Sequence, residues 1–140
     1  MPARDKFHDL VLRLLVADGW TVTHDPYRIS VGRKNLFVDL GAEKLLAAER
    51  QGKRIAVEVK TFEGPSEVHD LEEALGQYML YTPFMRNLDP DRQLYLAIAA
   101  EAFKNIFEEP IGRGILDEYS LRLLVFDSEK EVIVRWMPQP

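Results

Sequence analysis

The run Ile55-Ala56-Val57-Glu58-Val59-Lys60 constrains the fold more than any other stretch of this chain. A β-strand sends successive side chains to opposite faces. Ile55, Val57 and Val59 therefore point one way, towards a core, while Ala56, Glu58 and Lys60 point the other. A carboxylate and an ammonium on a largely apolar strand are costly to bury unless something pairs them. A second carboxylate arriving from a neighbouring strand would turn the place into a site for a hard divalent cation. Asp39, which closes an earlier apolar run, is the candidate.

The surrounding patterns supply the rest of an α/β fold. Phe7, Leu10, Val11, Leu14 and Leu15 recur at three and four, which predicts an amphipathic helix over residues 4–18, stopped by Gly19. Residues 20–24 alternate as a strand ended by Asp25-Pro26, and residues 27–31 and 35–40 read as two more around Gly32. Residues 42–50 carry helix-favouring alanines, leucines and glutamates. A hairpin through Gln51-Gly52 would instead place them in the sheet, the reading preferred here. Gly64-Pro65 breaks the chain, and Ser66 caps a second helix with Glu67 and Asp70 near its start. Val68, Leu71, Leu75, Tyr78, Thr82 and Met85 predict its core-facing stripe, with Asp70, Glu73, Gln77 and Tyr81 round another side. Pro83 is expected to kink or end it.

Residues 94–99 form a continuous apolar run, the mark of a strand covered on both faces. Residues 101–109 and 115–119 read as short helices, and 121–126 with 132–136 as a C-terminal β-hairpin. The expectation is a single domain over 1–140, with a mixed central β-sheet flanked by helices.

Composition narrows the function classes. With 46% hydrophobic and 29% charged residues, 140 residues can close a core. No cysteine is present, which excludes a thiolate zinc site and a cysteine nucleophile and fits a cytoplasmic location. No apolar run approaches the ~20 residues of a membrane span, so no membrane partner is expected. His8, His24 and His69 are scattered, without the spacing of a histidine metal site. His8 and His69 are expected to be surface or half-buried residues. The net charge of −5 argues against nucleic acid, but its distribution does not. Residues 28–60 hold eight basic against four acidic side chains, and residues 61–140 hold seven against fifteen. A positive field around an acidic pair suits a polyanion; a solvated hairpin face explains the charges equally well.

Phosphodiester cleavage needs hard oxygen ligands for a divalent ion that lowers the pKa of bound water. Asp39 and Glu58 would supply carboxylates, and the Val59 carbonyl a third ligand. Lys60 would orient or deprotonate the water, or offset charge developing in the transition state. Glu43 and Glu49 are rival carboxylates if the hairpin register differs. Gln77 and Tyr81, one helical turn apart, could contact a phosphate or Lys60. Alternatively, Glu58 and Lys60 are cross-strand ion pairs on a solvated face. The apolar hairpin over residues 121–136 could also pair edge to edge in a homodimer.

MPARDKFHDLV, VDLGAEKLLAAER, RIAVEVKTFEGPSEV, ALGQYMLY, LYLAI and EVIVRW together resemble the cyanobacterial fdxN-element excision controlling factor XisH family, in order along nearly the whole chain. That resemblance implies a restriction endonuclease-like fold of the PD-(D/E)XK superfamily. It makes Asp39 the first acid of the motif and Glu58 with Lys60 its E-x-K element. Gln77 with Tyr81 is similar to the Q-x-x-x-Y element of RecB-like nucleases. Val38 stands where that motif has proline. The implied role is programmed DNA rearrangement during heterocyst differentiation, with Mg2+ or Mn2+ as cofactor. DNA and a XisI-like companion protein are the implied partners. Some members of the superfamily only bind, so an accessory protein without catalysis is the second expectation.

Overall fold

The computed structural model describes residues 6–36 and 45–140. Helix α1 (His8–Ala17) leads into β1 (Thr21–His24), followed by a small separate hairpin of β2 (Ile29–Val31) and β3 (Lys34–Leu36). Strands β4 (Leu45–Arg50) and β5 (Lys53–Val59) follow, then α2 (Glu67–Leu88), β6 (Arg92–Ala99) and the short α3 (Ala100–Ala102). A π-helical turn (Phe103–Phe107), α4 (Pro110–Tyr119), β7 (Leu123–Asp127) and β8 (Val132–Met137) complete the chain. The main sheet has the order β1-β4-β5-β6-β7-β8. Its centre, β5 to β7, is parallel, and both margins are antiparallel. This is a mixed α/β fold with helices on both faces.

The alternation along β5 sets the two layers. Ile55, Val57 and Val59 are fully buried in a cluster with Leu10, Val11, Leu14 and Leu15 of α1. Ala56 lies in the opposite cluster with Leu71, Ala74, Tyr78, Tyr81 and Met85 of α2. Each buried valine or isoleucine contributes about 1.5–3 kcal/mol by leaving water. The preceding segment is a strand, as preferred above: Leu46 pairs with Val57 and Arg50 with Lys53. The Gln51-Gly52 turn closes this hairpin with both residues at positive φ (50° and 80°), a conformation glycine adopts without strain.

Helix α2 departs from expectation in two ways. It runs through Pro83 to Leu88 without a break. Proline removes one ladder bond at a cost of about 3 kcal/mol, and the burial of Tyr78, Tyr81 and Met85 around it outweighs that loss. Its buried stripe is also rotated. Val68 is half exposed, whereas Asp70 and Tyr81 are buried. The cause is polar: the Gly64 N–H donates to Asp70 Oδ2 (2.8 Å), turning that side chain inward. Ser66 caps the helix as expected, accepting from the His69 N–H (3.2 Å).

Three other expectations shift. The predicted helix over 101–109 is the short α3 passing into the π-turn, and α4 begins earlier than predicted, with Pro110 in its first turn. His8 is fully buried, its Nε2 3.0 Å from Asp25 Oδ2. Gly112 sits so close to the Ile106 carbonyl and the Phe107 Cα that a Cβ there would collide with backbone.

Gly112→Ala should therefore cost roughly 1–3 kcal/mol, read as a lower melting temperature, while Gly114→Ala, with open space around it, should not. In the β7–β8 turn, the Lys130 and Glu129 N–H groups both donate to Asp127 Oδ1 (2.9 Å each). These bonds, that from Lys130 first, hold the Asp127 carboxyl below its ordinary pKa. A carboxyl lowered in the folded state contributes stability above its unfolded pKa and loses it as pH falls through the folded value. Asp127→Ala should lower the melting temperature at neutral pH, and by less once the pH drops below the ordinary carboxylate range.

Candidate functional site

Strand β5 delivers Glu58 and Lys60 to one end of the sheet, where the parallel strands finish. Both are buried, with Glu58 1% and Lys60 3% exposed. The solvated-face alternative is thereby excluded. Lys60 is held at both its backbone and its head. Its N–H donates to the Ala97 carbonyl of β6 (3.0 Å), and its Nζ lies 2.9 Å from Glu73 Oε1 of α2. Because a trans peptide sets C=O and N–H on opposite sides, the Val59 carbonyl points towards the β4 side of β5. Leu45 of β4 pairs with Glu58 there, the last row of that ladder among the described residues.

Glu73 is the site residue that sequence reasoning placed on the right face of α2 without giving it a role. Its signal was spacing: Glu73, Gln77 and Tyr81 lie four apart, a row rising about 6 Å per step. The β5 row Lys60, Glu58, Ala56 steps about 6.6 Å per two residues. Helix α2 runs back against β5 to reach the start of β6, so the rows match in opposite directions. With Glu73 meeting Lys60, the register carries Gln77 to the level of Glu58 and Tyr81 to that of Ala56. Gln77 Oε1 is buried and has no hydrogen-bond partner among the described residues. Tyr81 is buried, and Ala56 shares its apolar cluster.

The other sequence candidates divide clearly. Asp39 and Glu43 lie outside the described residues. Glu49 pairs across the hairpin with Arg54, at the far end of β5 from Glu58, and its carboxylate lies 3.7 Å from Arg92. It does not belong to this site. His69 is exposed, its Nε2 4.0 Å from Glu73 Oε2.

Beside Lys60 opens a cleft of about 270 Å³, lined by Lys6, Thr61, Phe62, Glu63, Glu67, Glu101 and Asn105, among others. Lys6 forms an ion pair with Glu63 across it. As for a metal, the buried Glu58 carboxylate and the Val59 carbonyl are hard oxygen donors of the kind Mg2+ and Mn2+ take. Among the described residues no group of three or more His, Cys, Asp or Glu gathers to hold an ion. No described helix is long and apolar enough to cross a membrane.

The fold and site together define a class: a mixed α/β protein whose central covered strand ends in a buried glutamate and a buried, carboxylate-paired lysine. Residues 1–134 match the family described as XisH protein, and the chain belongs to that family. An XisH family protein from Nostoc punctiforme PCC 73102, solved by crystallography, is 41% identical with a TM-score of 0.86, covering 94% of this chain and 98% of its own. The crystal structure of an fdxN element excision controlling factor protein from Anabaena variabilis is 43% identical with a TM-score of 0.85, covering 94% and 97%. No curated protein matches the chain.

Proposed function

We propose that this protein is an fdxN-element excision controlling factor that acts as a metal-dependent deoxyribonuclease of the restriction endonuclease-like, PD-(D/E)XK type. The observation that carries the reading is the burial of Glu58 and Lys60 side by side at the end of a covered strand. A carboxylate and an ammonium are expensive to place in a core, so their placement there argues for a function. Glu58, the Val59 carbonyl and Asp39 hold Mg2+ or Mn2+. That ion, when bound, polarises the phosphodiester and lowers the pKa of an attacking water. Lys60 presents its ammonium next to the scissile phosphate and offsets developing negative charge. Gln77, four residues on from Glu73, has a buried Oε1 with no hydrogen-bond partner among the described residues, while Tyr81 packs in the apolar cluster with Ala56; Arg50, Lys53 and Arg54 of the basic segment lie at the opposite end of β5 from Glu58.

The second reading keeps the fold and site but assigns binding alone, to DNA or to a XisI-like companion. It is favoured by the cleft itself, where Glu63, Glu67 and Glu101 outnumber Lys6 and Lys60. A rim of that sign is poorly suited to holding a polyanion unaided.

Incubating purified protein with duplex, branched and single-stranded DNA in Mg2+ or Mn2+ separates the two. The nuclease reading expects cleavage that EDTA abolishes and that Asp39→Ala or Glu58→Gln reduces by about 10²–10³-fold, as when a key charge-stabilising group is lost. The melting temperature of these variants should stay within a few degrees of wild type. An inert wild type that forms a stable complex with the companion, unaffected by Glu58→Gln, would select the binding reading.

A further inference from the structure

At the opposite end of the sheet from Glu58 lies a second cavity, of about 380 Å³. Thr82, Met85 and Arg86 from the last turns of α2 wall it, with Arg92 and Gln93 at the start of β6 and Arg122 just before β7. Arg54 of β5 is level with Arg92, and Glu58 with Leu96. The cavity is therefore about 13 Å of strand from Glu58 and about 20 Å from Lys60. We propose that it is a binding site for a phosphate group, held by Arg86 and Arg122, with Arg92 as a fixed positive charge in the wall.

The first support is an imbalance of charge. Three arginines line the cavity against one acid, Asp91, whose exposed carboxylate lies 3.7 Å from Arg54. The nearby Asp89 is already engaged, accepting from Arg54 (2.5 Å) and from Arg92 (2.8 Å). Among the described residues no acid pairs with Arg86 or Arg122. The second support is where these charges stand. Arg113 and Lys104 also lack an acid partner among the described residues, but both are exposed. Arg122 is half-buried against a concave wall, and arginine is seldom withdrawn from water without a partner.

The third support is a wall already in place. Arg92 Nη1 donates to the Ile55 carbonyl (2.8 Å), and its guanidinium lies 4.9 Å from the centre of the Tyr27 ring. Asp89 and Glu49, the latter 3.7 Å away, offset much of its charge, so Arg86 and Arg122 carry the attraction. The C-terminus of α2 brings about half a negative charge to this end, less than the two unpaired arginines supply. Guanidinium forks match phosphate oxygens two by two. A volume of about 380 Å³ falls within the ~300–1,000 Å³ of ligand sites. The phosphate is either free or part of a nucleic-acid strand, and the two sources give different readouts.

Two measurements in EDTA test this without any need for metal or turnover, and so independently of the nuclease reading. One titrates sodium phosphate against the melting temperature, with chloride holding the ionic strength, because a ligand of the folded form raises it. The other follows the anisotropy of fluorescein-labelled single-stranded and duplex DNA. Wild type should show a saturable rise with phosphate beyond that with chloride, or DNA binding that depends on these arginines. Arg86→Met and Arg122→Met should each weaken that binding by about tenfold, as when a hydrogen bond to a charged group is lost. Arg113→Met should change it by less than about twofold, as expected of a solvated surface charge. Arg122→Lys, which keeps the charge but not the fork, should fall between and serves if Arg122→Met folds poorly.

Loss of the phosphate response alone in the arginine variants identifies a free phosphate or a small phosphorylated molecule as the occupant. Loss of DNA binding, with or without it, identifies a nucleic-acid strand. A wild type that responds to phosphate no more than to chloride, with DNA binding indifferent to Arg86 and Arg122, overturns the proposal. So does an equal effect of Arg113→Met, which would mark general charge attraction rather than a site.

Discussion

A strand covered on both faces is the constraint from which the rest of this molecule follows. On one side β5 gives α1 an unbroken apolar surface of Ile55, Val57 and Val59. On the other it offers α2 a surface that begins apolar at Ala56 and ends charged at Glu58 and Lys60. A helix laid over such a surface must change character along its own length. Helix α2 does so: Tyr81 and Met85 pack at one end, and Glu73 and Asp70 meet polar partners at the other. The ion pair of buried Lys60 with half-buried Glu73 is therefore the polar end of the same interface that builds the core. Ion pairs with a buried partner often give little net stability against apolar replacements, which makes a functional reason for keeping one more persuasive.

Much of this was legible in the chain. The alternation of residues 55–60 fixed the strand and its two faces, since the period of two leaves only one assignment that buries the valines. The Gln51-Gly52 turn and the Ser66 cap were readable because both depend on local backbone chemistry. What escaped was set by tertiary contact. The stripe of α2 does not follow from hydrophobicity, which puts Val68 inward and Asp70 outward, because the Gly64 N–H decides which of them turns inward. Proline in that helix looked like a stop because its propensity cost is local, while the packing that outweighs it is not. The start of α4 was hidden by Gly112 and Gly114, and Gly112 is needed there for close approach to the Ile106 carbonyl.

The site divides along the same line. Glu58, Lys60 and Gln77 could be named from spacing, because strand and helix periods put them on shared faces. Glu73 lay on the correct face yet received no role, since nothing local distinguishes it from the neighbouring Glu72; only the meeting of α2 with β5 does. Conversely, Glu49 was a plausible rival until the hairpin register set it opposite Arg54, four rows from Leu45 and Glu58.

The segment joining β5 to α2 is tethered along its length: Lys60 N–H to β6, the Gly64 N–H to Asp70, the Ser66 hydroxyl to His69, and Glu63 to Lys6. These bonds hold that part of the cleft wall in one shape. A ligand entering there spends little association energy on ordering this loop, so discrimination among ligands falls to steric fit against a fixed contour. Capture along this wall would then be governed by encounter and orientation rather than by a gate that must first swing shut.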